Sequence, residues 1–410
     1  MSRAVERIAM VSMHTSPAEA PGQADAGGMN VSIVGLAEQL ARRGVEVDLI
    51  TRAADEPSER LLSDGITLRS LAAGPAGPVA KRDLAAIADE FGEAVATLAG
   101  RAAPRYDLLH SHYWLSGLAT LPVALELGLP FVQSFHTLGA MKNKTLAPGD
   151  EPEPEGRLRG EGFLVTQADA IVASSAAEVS SLIDDLRAPP DRLWVIPPGV
   201  DTTLFAPERA VNSGNLRARL EIDPERPLLA VAGRIQPLKD QELAIRVLAA
   251  VRALGVVRQP VLVIAGDATD TAYRQHLEQV AVELGVERDV RFVGVLDRET
   301  LADLFAAAAL TIVPSHSETF GLVALEAAAS GSPVVGFRGT GLVESVSDGE
   351  SGILIDSRDP AEWAGVVSAL LADEQRLARL AVSARVYAEG FTWATSAASL
   401  LAVYESLKSH

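Results

Sequence analysis

Short apolar runs rich in β-branched residues alternate along this chain with longer Ala- and Leu-rich segments of helical period. The first series of strand-like runs is RIAMVSM (7–13), EVDLIT (46–51), ITLRSLA (66–72), LLHSH (108–112), FVQSF (131–135), AIVASS (170–175) and LWVIPP (193–198). A second series follows: LLAVAG (228–233), VLVIAG (261–266), VRFVG (290–294), LTIVPS (310–315), PVVGF (333–337) and GILID (352–356). Between them stand helix-length segments such as NVSIVGLAEQLARRG (30–44) and LAIRVLAAVRALG (243–255), each closing on a glycine suited to a left-handed cap. Runs that are apolar almost throughout, rather than alternating, belong to parallel strands buried on both faces. The pattern predicts an α/β protein of two doubly wound, Rossmann-like domains.

The boundary falls where Pro, Gly, Asp, Ser and Asn gather in PPGVDTTLFAPERAVNSGN (197–215), which gives a first domain of residues 1–198 and a second of 199–390. The closing segment, 391–410, contains FTWATSAASLLAVYESLK and is expected to form a helix that packs back on the first domain. TLAPGDEPEPEGR (145–157) reads as a mobile loop inside the first domain. No repeat of roughly 20–50 residues is visible.

Composition narrows the function. At 410 residues, 48% hydrophobic and 22% charged, the chain suits two globular domains. Its net charge of −18, without a basic cluster, repels phosphate backbones and anionic lipid, which argues against nucleic-acid and membrane partners. A local cationic pocket for a small anion stays compatible with that surface. The absence of cysteine excludes disulfides, a thiolate nucleophile and cysteine-ligated metal. MSRAVERIAMVSMH lacks the features of a signal peptide, and no apolar run approaches the roughly 18 residues of a membrane span, so a cytoplasmic location is expected.

Three stretches carry chemistry. AGGMN (26–30) follows the first strand and opens a helix; Gly27 and Gly28 either admit an anion to backbone N–H groups at a helix start or serve a flexible turn. Neither G-x-G-x-x-G after that strand nor a P-loop is present, which argues against a conventional nicotinamide or P-loop site. In AGRIQPLKDQE (232–242), Arg234 and Lys239 follow the second domain's first strand, where ligands of open α/β sheets bind, and can converge on one diphosphate. In HSETFGLVALEAAASG (316–331), Glu326 sits on the second turn of an apolar helix, where a carboxylate can accept two ribose hydroxyls. Glu318 precedes it and can grip a sugar hydroxyl, while the backbone N–H groups of Phe320, Gly321 and Leu322 offer donors. The alternative for Glu318 is an electrostatic helix cap. His14, His110 and His112 are expected to play structural or substrate-side roles rather than bind metal, although HSH on a strand puts two imidazoles on one face; Glu344 and Asp348 do not complete a metal motif.

VSMHTSP, GGMNV, HSHYWLSG, FHTLGAMKN, PPGVD, GRIQPLK and ETFGLVALEA occur in this order over nearly the full chain. Together they make the chain resemble the retaining GT-B glycosyltransferases of the sucrose synthase and sucrose-phosphate synthase family, and within it the mycothiol-pathway transferases that join N-acetylglucosamine to inositol phosphate. The resemblance implies a GT-B architecture whose two domains face each other across a cleft. A UDP-sugar co-substrate would bind the second domain and a phosphorylated acceptor the first, with no resident cofactor and no metal site; magnesium is not needed for the fold, and a homodimer is left open.

By the same resemblance, Arg234 and Lys239 hold the donor diphosphate, Glu326 the ribose and Glu318 the transferred sugar. His136 lies near the anomeric centre, and Gly28 lets the chain approach the diphosphate. Lys81, Tyr113, Thr137 and Arg157 surround an acceptor phosphate, with Asn30 on a cyclitol hydroxyl. Two features depart from the pattern: Ser134-Phe135 before the histidine is closer to sucrose-phosphate synthases, and RGTGLVESV (338–346) replaces a GGLP-like turn. A transferase to a hexose phosphate is therefore an alternative acceptor reading, and a non-catalytic nucleotide-sugar-binding module or an epimerase on the same fold are the others. Retention by front-face attack, with domain closure excluding water, is the implied chemistry.

Overall fold

The computed structural model describes residues 4–408 except 21, 23–25, 269–270 and 340. The ends of the expected first domain (1–3) and closing helix (409–410), and Thr340 of the unusual turn, lie outside the described residues.

The first sheet comprises β1 (Arg7–Val11), β2 (Glu46–Arg52), β3 (Ser58–Ser63), β4 (Ile66–Leu71), β5 (Leu108–His112), β6 (Phe131–Ser134), β7 (Ala170–Ala173) and β8 (Leu193–Val195), in the order β3-β4-β2-β1-β5-β6-β7-β8. The second comprises β9 (Leu228–Ala232), β10 (Val261–Ala265), β11 (Val290–Gly294), β12 (Leu310–Val313), β13 (Val334–Phe337) and β14 (Gly352–Ile355), in the order β11-β10-β9-β12-β13-β14. Every pairing between these strands is parallel except that of β3 with β4. The exception is a finding the hydropathy pattern did not anticipate. SERLLS is almost wholly exposed, so it carries no apolar run, and it pairs as an antiparallel edge beyond β4.

Each central strand feeds two cores. Ala9 and Val11 of β1 pack on one face with Phe91, Leu115 and Phe135, while Ile8 and Met10 pack on the other with Leu36, Leu40 and Tyr404. β9 does the same, sending Leu228 and Ala230 one way and Leu229 and Val231 the other. This double burial explains why the runs are apolar at successive positions.

The chain crosses between the sheets twice, and the crossings are tied by the Val200 N–H donating to the Phe391 carbonyl at 3.0 Å. Beyond the second crossing, the helix Trp393–Leu407 returns to the first sheet, where Ala397, Leu400, Val403 and Tyr404 close the core that also holds Ile8, Met10 and Leu108.

Strand order reverses between β1 and β5 in the first sheet and between β9 and β12 in the second. At such switch points adjacent loops diverge and leave a crevice beyond the carboxyl ends of the strands. The loops after these four strands and after β6 build most of the site, to which the segments after β4, β10 and β11 add Lys81, Gly266 and Arg298.

TLAPGDEPEPEGR is loop up to residue 154, as read from its composition. Its last residues begin the helix Glu155–Gln167, and Glu153 is held by an ion pair with Lys142, by Asn143 Oδ1 accepting its backbone N–H at 2.7 Å, and by Arg157 at 2.9 Å.

Candidate active site

A cleft between the two sheets has two lobes of about 190 and 210 Å³, and Gly27, Gly28, Arg234, Lys239 and Leu322 line both. Gly233, Gly266, Arg298 and Glu326 line only the first lobe; His14, Lys81, Tyr113, His136, Thr137, Glu318 and Phe320 line only the second. The two cations at the end of β9 therefore stand at the junction.

On the second-sheet side, the loop after β12 runs into the helix Leu322–Ala329. Gly321 caps that helix at φ +93°, in the left-handed region where a side chain would be strained, and with Phe320 and Leu322 it brings the start of the helix to the wall of the second lobe. Glu318 Oε1 accepts hydrogen bonds from Lys239 Nζ at 2.6 Å and Ser315 Oγ at 2.7 Å. Its carboxylate is thus engaged across the cleft floor rather than capping the helix alone. One turn into the helix, Glu326 is only 5% exposed, with the Arg298 guanidinium 3.7 Å away. Burial pushes the Glu326 carboxyl up to about 7 against the pull of Arg298. A carboxylate held dry beside a cavity gains from hydroxyl donors that replace the lost water.

The first-sheet side is built from Tyr113 after β5, His136 and Thr137 after β6, and Lys81 at the start of a 3₁₀ turn. Arg157 does not line the lobe; it lies behind, donating to the Thr137 carbonyl at 2.8 Å and hydroxyl at 3.0 Å, and pairs with Glu161 at 2.7 Å. Burial raises the Glu161 carboxyl, outweighing the pull of Arg157. Both cations approach the Tyr113 ring, Lys81 Nζ at 4.7 Å and the Arg157 guanidinium at 5.0 Å from its centre. Among the described residues, five non-glycine residues have positive φ, and Tyr113, His136 and Asp240 (next to Lys239) are three of them. Strained backbone of this kind concentrates at functional sites, and here it marks the same loops as the cleft does.

Three of the histidines form a row of tilted rings. His110 and His112 lie 4.2 Å apart by ring centres and His112 and His136 5.1 Å apart, with His112 Nδ1 and His136 Nε2 sharing a hydrogen bond of 2.8 Å. His110 bonds Tyr404 Oη at 2.6 Å and Ser134 Oγ at 3.0 Å. Burial depresses all of them, His136 to about 4, His110 to about 3 and His112 well below its ordinary value. His14 is lowered too, by burial and then by Lys81, His136, Arg157 and Arg234. Among the described residues, no group of three His, Cys, Asp or Glu side chains is arranged to hold a metal ion.

The structure thus gathers Gly28, His136, Arg234, Lys239, Glu318, Phe320, Gly321, Leu322, Glu326, Lys81, Tyr113 and Thr137 on one cleft, with Arg157 supporting it. Asn30 lies beside the cleft rather than on the lining of either lobe. It lines an adjoining cavity of about 830 Å³, which shares Val31 and Arg298 with the first lobe, and its amide donates to the Ser16 carbonyl at 2.6 Å. Sequence reasoning overlooked Arg298 and Gly266. Gly266 carries a legible signal, a strand closing on glycine: at φ +149°, a Cβ there would lie 1.9 Å from the Gly233 carbonyl oxygen, so only glycine lets the two strand ends meet under the first lobe. For Arg298 no local signal exists.

Two Rossmann-like sheets opposed across a cation-bearing cleft define the GT-B class. The profile described as Glycosyl transferases group 1 matches residues 212–386, and that of the Glycosyl transferase 4-like domain matches residues 27–199. The chain is 42% identical over 405 residues to the D-inositol 3-phosphate glycosyltransferase of Thermobifida fusca, covering 97% of this chain and 93% of that protein. It therefore belongs to the group 1 glycosyltransferases of GT-B fold. Among solved structures, the sucrose-phosphate synthase of Thermosynechococcus elongatus superposes with a TM-score of 0.88 at 29% identity, over 98% of this chain and 99% of that one. Anabaena HepE in complex with UDP and glucose has a TM-score of 0.77 at 21% identity, over 99% and 100% of the two chains, a likeness of fold.

Proposed function

We propose that this glycosyltransferase moves N-acetylglucosamine from a UDP-sugar to a phosphorylated cyclitol, inositol phosphate, with retention at the anomeric carbon. The observation that carries the reading is the junction: Arg234 and Lys239 line both lobes, with the buried Glu326 on one side and Lys81, Tyr113 and Thr137 on the other. A diphosphate at the junction directs the ribose hydroxyls of the nucleoside to Glu326 and the sugar toward Glu318 and His136. Binding also exchanges partners, since Lys239 turns from Glu318 to the diphosphate and leaves that carboxylate to accept sugar hydroxyls. The acceptor phosphate takes Lys81 for charge and Tyr113 and Thr137 for neutral hydrogen bonds, with Arg157 fixing Thr137 from behind. The relative from Thermobifida fusca, named for an inositol phosphate, supports this acceptor.

Chemistry at the junction needs two things: positive charge where the diphosphate leaves, and an acceptor hydroxyl aligned on the same face, so that a leaving-phosphate oxygen takes the hydroxyl proton. Among the described residues, no helix is long and apolar enough to cross a membrane, which is compatible with a cytoplasmic enzyme drawing on small-molecule pools.

A second reading, transfer to a hexose phosphate, has the support of Ser134-Phe135 before His136 and of the sucrose-phosphate synthase likeness. The deciding experiment incubates the protein with labelled UDP-N-acetylglucosamine or UDP-glucose and, in competition, inositol phosphate and fructose phosphate, and reads the anomeric configuration of the product by NMR. An α-linked N-acetylglucosaminyl inositol phosphate is expected. No glycoside from any phosphorylated acceptor overturns the acceptor assignment, and UDP binding without turnover supports a binding module instead.

A further inference from the structure

We infer that His112 is a positioning residue that fixes the tautomer of His136, placing its proton on Nδ1 as a hydrogen-bond donor to an oxygen of the transferred sugar. The inference rests on the proposed place of His136 beside that sugar.

The argument is one of counting protons in a buried chain. His112 Nδ1 and His136 Nε2 are 2.8 Å apart, so between two neutral rings one nitrogen donates and the other accepts. His112 Nε2 is buried and has no hydrogen-bond partner among the described residues. If His136 donated from Nε2, His112 would carry its own proton on Nε2, a buried N–H with no acceptor. If His112 donates from Nδ1, its Nε2 is a bare lone pair. Orphaned buried donors are the rarer and costlier of the two, so the second arrangement wins. His136 then accepts at Nε2 and must carry its proton on Nδ1, which bonds to no other described residue while the ring lines the cleft. His110 does not compete, because both its nitrogens are taken by Tyr404 and Ser134. Its ring lies 4.2 Å from that of His112, tilted by 32°, and packs against it.

The oxygen that receives this N–H is a hydroxyl or an acetamido carbonyl; both have lone pairs, so the donor requirement is the same. With the other tautomer His136 would offer a lone pair at the same place, which a carbonyl oxygen cannot use.

The test is ¹⁵N NMR of histidine-labelled, ligand-free protein at neutral pH, which separates protonated from bare ring nitrogens. His136 is assigned by the signals lost in His136→Asn. The expected result is a protonated Nδ1 and bare Nε2 at His136, and the reverse overturns the inference whatever the substrates prove to be. Turnover adds a second reading. His112→Leu keeps an apolar side chain but no donor, and is expected to release the His136 tautomer and lower kcat about tenfold, the size of one hydrogen bond, with acceptor KM little changed. His112→Asn, whose amide N–H stands where Nδ1 stood, is expected to restore both the NMR signature and most of the rate. Unchanged His136 signals in His112→Leu, or a folded His112→Asn that behaves like His112→Leu, overturn the assignment. Failure of the sugar-transfer assay with the tautomer intact would count against the proposed function alone.

Discussion

The two cationic centres that serve the opposite sides of the cleft are built differently, one behind its wall and one on it. Arg157, on the first-sheet side, has a side chain only 3% exposed and is locked between Glu153, Glu161 and Thr137 before any ligand arrives. Lys239, on the second-sheet side, has a side chain 23% exposed and a single carboxylate, Glu318, 2.6 Å from its ammonium. The first is a fixed buttress whose charge is largely answered by the protein. The second is an exchangeable pair in which ligand and carboxylate compete for one cation. A fixed group supplies geometry at little reorganisation; an exchangeable one supplies charge when the leaving group needs it.

Removing the buttress is expected to have the largest effect. Arg157→Ala leaves Glu161 buried without its cation, a change that costs on the order of 3–5 kcal/mol of stability. A lowered unfolding midpoint together with an acceptor KM raised far more than that of the donor would sharpen the contrast; a mainly donor-side defect would reverse the assignment of the two sides.

Lys239→Ala comes next. It removes transition-state charge from a side chain whose bond to Glu318 can be given up, so the fold should survive while kcat falls on the order of 10²–10³-fold. Circular dichroism and single-turnover rates check the two halves of that statement, and a variant as active as the parent breaks the comparison outright.

The smallest effect belongs to Glu326→Gln, expected to weaken UDP binding by about 1.5–3 kcal/mol, as for hydrogen bonds to a charged group. It has a pH signature as well. The folded-state pKa of Glu326 is raised from its ordinary 4.5 to about 7, so the stability from holding that proton is present below 4.5 and is lost as pH rises through about 7. Thermal unfolding of the empty glutamine variant should therefore lose less stability over that window than the parent does.

The fold was readable wherever both faces of a strand are buried, because double burial writes an uninterrupted apolar run, as in VLVIA of β10. β3 escaped because an exposed edge leaves no such mark. The loop at 145–154 was legible from its Pro and Gly content, whereas the ion pairs that hold Glu153 to Lys142 and Arg157 are assembled only by the fold. In the site, Arg234 and Lys239 were legible from their place after a strand and Glu326 from its apolar neighbours. Arg298 beside Glu326, and His112 behind His136, depend on side chains from different elements meeting, and no spacing along the chain encodes that. Asn30, matched by its motif position, lies on the wall of the cavity that adjoins the first lobe, its amide held by Ser16.

The returning helix Trp393–Leu407 has a consequence for how the polypeptide is made. Until that helix leaves the ribosome, Ile8, Met10 and Leu108 lack the cover that Leu400, Val403 and Tyr404 supply, and His110 lacks the Tyr404 hydroxyl. The N-terminal half, though synthesised first, waits with a bare apolar face, a state open to aggregation and to chaperone capture. A gene truncated before Trp393 would keep every cleft residue and still yield a sticky, incompletely sealed product.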